Sequence, residues 1–364
     1  MINKSMPNTK SLIIQPFIPN YREDFFLELI KIFNFNLFYI NKPKDNESFK
    51  LSSELNIDNL NSIKIGKLVF FNIFSRKILQ SRLIISSWSP QWISLYLLLL
   101  LKNIFCIKFI IWTHGVSVRH GFQPRSLRDK IKLFFFNRAD SICFYTENEL
   151  KQLSPYLLKP KLFYINNTLN VEKIQKTKSV LKNNSDQLKK KYGITSSRVI
   201  IHCARFIKDR RAELLVELIV KMINEDVSFI IIGSGQYKPD FSVYSSVFDF
   251  GALYDEKTKA ELFSIADFSF QPAWSGLSVV ESMANGVPYI TLKKSKDILQ
   301  CVEYNYIIHG FNGFIARNLK EVWDRINNTS NNELKKMKHN CIGYVNKELA
   351  LSDIVNRFVR GLNT

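Results

Sequence analysis

The segment Phe268–Ile290 constrains the fold of this chain more than any other part of the sequence. It contains a short apolar strand at Phe268–Phe270, a turn opened by Gly276, a short helix at Ser278–Ala284 and a second apolar strand that starts at Val287. Strands that are joined through a helix in this way run parallel in one sheet. The segment therefore predicts an α/β architecture.

The same alternation recurs along the rest of the chain. Uninterrupted apolar runs, such as Leu83–Ile85 and Phe229–Ile232, are typical of parallel strands that are covered on both faces. Helical patterns, such as Tyr21–Phe33 and Arg211–Ile223, lie between such runs. Because 364 residues are enough for two α/β domains, we predict two Rossmann-like, doubly wound parallel-sheet domains.

Composition predicts the domain boundaries. Residues 171–192 are rich in Lys, Asn and Ser and hold few large apolar side chains, which is typical of a linker with some helix. We expect an N-terminal domain over residues 1–170 and a C-terminal domain over residues 193–347. An amphipathic pattern predicts a further helix within residues 348–364.

The turn at Gly276 and the helix after it form a candidate anion site. Free backbone N–H groups and the helix dipole point the same way at a helix N-terminus. Glu281, one turn inside the helix, can accept hydrogen bonds from two neighbouring sugar hydroxyls. Together these groups suit a nucleotide-sugar, while the alternative is an ordinary buried strand–helix–strand unit whose glycine serves geometry alone.

The residues of this segment resemble the donor-binding signature of retaining glycosyltransferases of family 4, which have the GT-B fold and build bacterial surface polysaccharides. That signature has two glutamates eight positions apart. Glu281 matches the second, which in the family holds the nucleotide ribose, whereas Ala273 stands in place of the first, which contacts the donor hexose. The resemblance implies that the backbone amides of Gly276, Leu277 and Ser278 meet the donor diphosphate. It also implies a cleft between the two domains and a final helix that returns towards the N-terminal domain.

Two arginines upstream agree with the resemblance in order and spacing. The run Val199–Phe206 resembles the first strand of the family's C-terminal domain. Arg205 and Arg210 match the Arg and Lys that neutralise the donor diphosphate, where fixed cations stabilise the charge that builds on the leaving group. The alternative is a solvated basic turn before a helix.

Further donor contacts are implied by the loops that follow two later strands. Gly233 lies in a turn that forms part of the cleft wall in the family. Gly251, Ala252 and Leu253 match a loop whose backbone reads the nucleotide base.

The first half of the chain resembles the family more loosely. His114 follows the apolar strand Phe109–Thr113, and in the family a histidine at such a strand end bonds a hydroxyl of the donor sugar. The alternative is a satisfied core histidine. The first strand leads into a loop that in many relatives has a glycine pair, where the diphosphate or acceptor approaches the backbone. This chain lacks the pair, and Asn20, Tyr21 and Arg22 are our candidate acceptor contacts.

Metal and cofactor signals are missing from the sequence. The five histidines lack metal-ligand spacing and no Asp-x-Asp motif occurs, so we predict no metal and no cofactor, the nucleotide-sugar being a substrate. Five scattered cysteines predict reduced thiols in a cytosolic protein. The apolar span Trp92–Trp112 is interrupted by Lys102 and Lys108, so it predicts a buried helix and a strand rather than a membrane span.

The positive charge is concentrated in the first half of the chain. Residues 1–192 hold 30 Lys and Arg against 13 Asp and Glu, a net +17, while the remaining 21 against 19 give +2. A basic first domain suits an acceptor that is carried on an anionic membrane. Residues 119–138 combine six cations with four phenylalanines, which predicts either an interfacial amphipathic surface or a solvated helix face over core phenylalanines. The sequence contains no recognisable nucleic-acid-binding module, so nucleic acid is not a predicted partner.

We therefore predict a cytoplasmic glycosyltransferase that is peripheral on the inner face of the plasma membrane. It would move a hexose-type sugar from a nucleotide-sugar to a lipid-linked or glycan acceptor, as in O-antigen or capsule synthesis. The resemblance implies retention, with the leaving diphosphate taking the acceptor proton. Two alternatives stay open: a nucleotide-sugar 2-epimerase of similar fold, and an inactive protein that binds a nucleotide-sugar or nucleic acid.

Overall fold

The structure is a computed structural model that describes residues 10–40 and 52–363. It divides into two compact units. The first comprises the described residues up to Asn166 together with the segment from Ser352 onward, and the second comprises Asn167–Leu351.

The first unit is built on a parallel sheet with helices around it. Its strands are β1 (Ser11–Gln15), β2 (Asn36–Tyr39), β3 (Ile57–Asn59), β4 (Ser62–Ile65), β5 (Leu68–Phe71), β6 (Leu83–Ser87), β7 (Lys108–Thr113), β8 (Ser141–Phe144) and β9 (Lys161–Tyr164). The helices that precede β9 are α1 (Glu23–Ile30), α2 (Arg76–Leu79), α3 (Ile93–Leu101), α4 (Leu127–Phe136) and α5 (Glu147–Leu153). Seven strands form the parallel sheet in the order β3-β2-β1-β6-β7-β8-β9, and β4 and β5 form a separate antiparallel pair.

The second unit repeats the architecture. Its helices are α6 (Val171–Ser179), α7 (Ser185–Tyr192), α8 (Ala212–Lys221), α9 (Glu256–Ile265), α10 (Ser278–Ala284), α11 (Leu319–Asn328) and α12 (Asn331–Glu348). Its strands are β10 (Arg198–Cys203), β11 (Val227–Ile232), β12 (Val247–Asp249), β13 (Phe268–Phe270), β14 (Tyr289–Leu292) and β15 (Gly313–Ala316). All six are parallel, in the order β12-β11-β10-β13-β14-β15.

Both sheets reverse their strand order once, and this positions the candidate sites. The reversal lies between β1 and β6 in the first unit and between β10 and β13 in the second. Ligands of open α/β sheets bind at the carboxyl ends of the strands beside such a reversal. The predicted fold class, two doubly wound parallel-sheet units, is confirmed.

The core of the second unit explains its uninterrupted apolar strands. In β10, Ile200 belongs to a buried cluster with Leu215 of α8, while Val199 and Ile201 belong to another with Leu262 of α9. Successive strand residues point to opposite faces, so a strand with helices on both sides needs apolar residues throughout.

The helix α13 (Leu351–Asn363) packs within the first unit. Phe358 is fully buried, and its ring lies 5.5 Å from that of Phe25 and 5.2 Å from that of Trp112. Gly361 has no Cβ, and one built there would lie 2.3 Å from the ring of Phe163, so the helix can approach the sheet this closely only with glycine at this position.

Two parts of the chain differ in detail from what the sequence predicts. Residues 171–192, predicted as a linker, form α6 and α7, which lie in the second unit. The β4–β5 hairpin is not predicted, although its two-residue turn at Gly66 is a recognised hairpin pattern. Within the described residues, no helix is both long enough and apolar enough to cross a bilayer.

Candidate functional site

The predicted donor residues of the second unit gather at its strand-order reversal. Arg205 and Arg210 follow β10, and the loop containing Gly276 follows β13, the strand that pairs with β10. The carboxyl ends of parallel strands meet at one edge, so the structure brings these groups to the same edge of the sheet.

Arg210 is the most informative cation at this edge. Its Nη1 donates to the carbonyl of Arg205 at 3.0 Å, and its buried Nε has no hydrogen-bond partner among the described residues. Burial lowers the pKa of Arg210, and no carboxylate is among the groups that shift it. A guanidinium remains charged even so, which leaves a cation available to an anion. Arg205 itself is exposed.

Glu281 has two partners that sequence reasoning missed. Its carboxylate forms an ion pair with Lys259 of α9, and it accepts a hydrogen bond from the Cys203 thiol at 3.6 Å. Burial, followed by the charge of Glu281, raises the pKa of Cys203 well above its ordinary value, so the thiol stays protonated. No pattern relates Lys259 to Glu281, since the two belong to different elements.

Buried polar side chains brace the loop that leads from β13 to α10. Gln271 donates to the carbonyls of Ala273 and Trp274 at 2.8 and 2.7 Å. The Ser278 hydroxyl donates to the Gln271 oxygen at 3.1 Å and lies 2.9 Å from that of Tyr289. α10 has the predicted bounds and extends for only seven residues, so its dipole is that of a short helix.

Two residues of this loop have unusual features. Ala273, which stands where the family has its first glutamate, is fully buried. Trp274 has a φ of +55°, a left-handed conformation that costs a bulky residue of the order of 1–2 kcal/mol. Leu277 and Gly276 lie directly before α10, as predicted.

The remaining predicted donor residues lie in the loops after β11 and β12. A Cβ at Gly233 would lie 2.0 Å from the Ala204 carbonyl oxygen, so this glycine is required where the two loops meet. Gly251 has a φ of +63°. Ala252 is exposed, while the side chain of Leu253 packs against the core. Backbone groups of this loop are therefore accessible beside Ala252.

His202 of β10 is a buried group that sequence reasoning did not single out. It is 2% exposed, its Nδ1 lies 2.9 Å from the Phe270 carbonyl oxygen, and its Nε2 has no partner among the described residues. Burial lowers its pKa to about 4, and the charge of Arg210 acts in the same direction. The imidazole is therefore neutral at pH 7.

The first unit contains a cavity of about 580 Å³ at its own strand-order reversal. Gln15, at the end of β1, and Ser87, at the end of β6, both line it. Of the predicted residues, Tyr21, Arg22 and His114 line this cavity, whereas Asn20 is exposed and is not among the lining residues. The other lining side chains include the aromatic groups Phe17, Trp88, Tyr96, Trp112 and Tyr145.

Arg22 lies at the base of an aromatic enclosure and is 9% exposed. Its Nη1 donates to the Gln15 oxygen at 2.8 Å, and its Nη2 donates to the Tyr145 hydroxyl. The guanidinium carbon lies 4.8 Å from the ring centre of Trp112 and 5.1 Å from that of Tyr145. Cation–π contacts of this kind stabilise a cation that has lost its hydration.

His114 stacks on Tyr145, with ring centres 4.0 Å apart and an angle of 19° between the planes. The His114 ring lies inside the cavity, close to many protein atoms, and is partly exposed to solvent. Loss of hydration, together with the charge of Arg22, lowers its pKa to about 4. A neutral imidazole at a cavity wall can donate or accept a hydrogen bond to a sugar hydroxyl.

The basic region 119–138 is organised around a buried carboxylate. Asp129 is 2% exposed and pairs with Arg128 at 2.9 Å and with Lys132 at 2.8 Å. The salt bridges and hydrogen bonds of these two cations lower the pKa of Asp129 against the opposing effect of burial. Arg128 and Lys132 are thus structural partners of Asp129.

The described residues contain no cluster of three or more His, Cys, Asp or Glu side chains that could hold a metal ion. All five cysteines are free thiols.

A family model and a curated relative each match part of the chain. Residues 184–348 match the family Glycosyl transferases group 1. Over 196 residues the chain is 25% identical to N-acetyl-alpha-D-glucosaminyl L-malate synthase of Bacillus anthracis, an alignment that covers 50% of this chain and 49% of the relative. The chain thus spans about half the length of that curated relative.

Solved structures resemble the chain over almost its whole length. Anabaena HepE in complex with UDP and glucose has a TM-score of 0.71 at 14% identity, covering 98% of this chain and 100% of that one. A glycosyltransferase from Rickettsia africae has a TM-score of 0.68 at 16% identity, covering 97% of each chain. The two parallel-sheet units therefore have the GT-B fold, and residues 184–348 are similar to the glycosyltransferase group 1 family.

Proposed function

We propose that this protein is a retaining glycosyltransferase that moves a hexose-type sugar from a nucleotide-sugar to a membrane-associated glycan acceptor. The proposal rests on one observation. Arg210, a cation that no described carboxylate neutralises, and Glu281, a carboxylate, both lie beside the strand-order reversal of the second unit. A nucleoside diphosphate needs both, a cation for its phosphates and an acceptor for its ribose hydroxyls.

In this reaction, the bond between the sugar's anomeric carbon and the diphosphate oxygen breaks, and a new bond to the acceptor oxygen forms on the same face. The acceptor proton passes to the leaving diphosphate. Arg205 and Arg210 stabilise the negative charge that develops on that group, and the partly buried Arg210 does so more effectively than an exposed cation. No metal or cofactor takes part in the proposed step.

Glu281 holds the ribose and transfers no proton. Its carboxylate, which forms an ion pair with Lys259, accepts hydrogen bonds from the ribose hydroxyls. His114 places the donor sugar through a hydroxyl, and its neutral state allows this at pH 7. The amides of Gly276, Leu277 and Ser278 bind the diphosphate, and Gly233 and the Gly251–Leu253 backbone line the nucleotide site.

A donor screen followed by a turnover assay tests the proposal. UDP-, GDP-, dTDP- and CDP-sugars are compared by thermal shift, starting with UDP-glucose because the HepE structure holds UDP and glucose. A donor at a hundred times its dissociation constant should add about 2.7 kcal/mol of stability. Labelled donor should then be hydrolysed slowly or transferred to acceptor.

The alternatives give different results in the same assay. A 2-epimerase converts the donor to its isomer without an acceptor. An inactive binder shows the thermal shift but neither hydrolysis nor transfer. If no nucleotide-sugar shifts the unfolding temperature, the proposed function is wrong.

Membrane association is supported by the outer face of α4. Leu127, Ile131 and Phe134 are 73%, 45% and 50% exposed and recur at helical spacing, so they form one apolar stripe. Lys130 is exposed, and the Arg138 guanidinium lies 3.4 Å from the ring centre of Phe134. A basic, amphipathic helix face of this kind binds anionic bilayers.

A vesicle assay with a matched control tests this part of the proposal. Binding to vesicles with anionic lipid should fade as salt rises towards 1 M, and Ser at Leu127, Ile131 and Phe134 should weaken it at least tenfold. The control places Ser at Ile63, Ile65 and Leu68, which are 70%, 65% and 42% exposed on the β4–β5 hairpin. Equal binding of neutral and anionic vesicles, or an equal effect of both triple variants, would contradict membrane docking through α4.

A further inference from the structure

The cavity of the first unit contains polar groups that the fold leaves unmatched. Gln15 and Trp112, which are 1% and 3% exposed, each carry a side-chain nitrogen without a hydrogen-bond partner among the described residues. The indole nitrogen of Trp88 is unpaired in the same way. All three residues line the cavity. Unpaired buried donors are rare in folded proteins, so three of them beside one cavity mark this region as unusually rich in donors.

The orientation of Gln15 is fixed by its neighbours. Its Oε1 accepts from Arg22 Nη1 at 2.8 Å and from the Ser87 hydroxyl at 3.0 Å. Both partners donate, so the amide oxygen must face them and its NH₂ group is the one left over. The unmatched group at Gln15 is therefore a donor.

Charge in the cavity points the same way. The charged lining residues are Arg22, Arg128, Lys132 and Asp129, which sum to +2 at neutral pH, while His114 is neutral. Arg128 and Lys132 neutralise Asp129, whereas the described partners of Arg22 are the Gln15 amide oxygen, tyrosine hydroxyls and aromatic rings. No described carboxylate neutralises Arg22, and burying an unpaired cation is costly.

The walls of the cavity suit a sugar ring. Phe17 and Tyr21 are 45% and 40% exposed, and Trp88 is half-buried. Aromatic faces of this kind pack against the apolar face of a sugar while the hydroxyls meet polar groups at the rim.

We infer that this cavity takes an acceptor glycan bearing an anionic group, a carboxylate or a phosphate, which is seated on Arg22 with its sugar ring against the aromatic wall. Naming this ligand the acceptor rests on the proposed glycosyl transfer. A purely structural Arg22, held by the Gln15 oxygen, the Tyr145 hydroxyl and the aromatic rings, is the competing explanation.

Three monosaccharides of similar size test the inference on the full-length protein, with UDP saturating so that the second unit is occupied. They are glucose, glucuronate and glucose 6-phosphate, and their affinities are measured by calorimetry or ligand-observed NMR. At least one anionic sugar should bind ten times more tightly than glucose. The tighter of the two identifies the anion as a carboxylate or a phosphate.

Variants locate the site. Arg22→Met keeps the volume and removes the charge, so the preference for the anionic sugar should disappear. Gln15→Glu supplies an internal counter-ion to Arg22 without changing the shape, so it should abolish the preference even if Arg22→Met fails to fold. Lys161→Met removes an exposed cation of the same unit outside the cavity and should leave the preference intact.

Two results overturn the inference: wild type does not distinguish charged from neutral sugar, or the preference survives both cavity variants. If a preference that survives them is lost in Arg210→Met, the anion binds in the second unit. Failure of UDP itself to bind would instead refute the proposed function. The comparison of the three sugars would still report on the cavity.

Discussion

Replacing Arg210 with Ala should separate nucleotide binding from stability, because the two depend on different contacts of this side chain. The guanidinium donates one hydrogen bond to the Arg205 carbonyl, and no described carboxylate pairs with it. Truncation therefore breaks no ion pair and relieves the cost of a buried charge. We expect the free energy of unfolding without ligand to change by less than about 1 kcal/mol.

Affinity for the diphosphate should fall much further. A hydrogen bond to a charged group contributes about 1.5–3 kcal/mol, which corresponds to a loss of roughly 10- to 150-fold in the dissociation constant of UDP. Calorimetric titration with UDP, UMP and uridine separates the causes, since the loss should be largest for UDP and absent for uridine. Lys208→Ala, an exposed cation in the same segment, should change UDP affinity less than threefold.

Either of two results would refute this reasoning. If Arg210→Ala binds UDP within twofold of wild type, Arg210 does not contact the diphosphate. If uridine loses as much affinity as UDP, the substitution disturbs the nucleotide site as a whole and the charge is not responsible.

Two further predictions concern buried or paired groups of the second unit. Glu281→Gln should weaken donor binding by about 1–2 kcal/mol, so the donor KM should rise. The kcat should change little, because the ribose contacts persist in the transition state. Loss of kcat at unchanged donor affinity would instead make Glu281 catalytic. The same variant leaves Lys259 without its partner, so unliganded stability should drop by up to about 1 kcal/mol in denaturant unfolding, whereas an unchanged midpoint would show that this partly exposed pair contributes nothing. The pKa of His202 is lowered to about 4 in the folded state, so its contribution is fully present above its unfolded pKa of about 6.5 and is lost as the pH falls towards 4. Between pH 7 and pH 5, the unfolding free energy of wild type should fall by about 2 kcal/mol, and that of His202→Gln should not. If the two proteins show the same dependence of unfolding free energy on pH, His202 is not held neutral by burial.

The parts of the fold that the sequence predicts well are those in which local pattern and tertiary environment agree. The strand Phe268–Phe270 and the helix Ser278–Ala284 have the predicted bounds, because an apolar run, a glycine turn and an Asn-Gly stop each act within a few residues. The structure of residues 171–192 is harder to predict from the sequence, since their polar composition resembles that of a linker. Val171 and Leu188 are the buried anchors that make α6 and α7 part of the second unit.

The residues of the candidate sites also differ in whether a local sequence pattern can predict them. Arg205 and Arg210 lie five residues apart on one turn, so a sequence pattern can contain both. Lys259 and Glu281 meet only because α9 and α10 belong to the same sheet unit. Tyr145 lies 123 residues from Arg22, so no pattern along the chain predicts the enclosure of that arginine.

The packing of α13 has a consequence for how this protein is made. Phe358 supports one side of Trp112, and the guanidinium of Arg22 rests on the same ring. The whole of the second unit is synthesised between Trp112 and Phe358. On the ribosome, the second unit therefore has every residue it needs before the first unit does. A nascent chain interrupted at Leu351 would carry the whole second unit and a first unit without its last helix, so Trp112 would lack the support of Phe358.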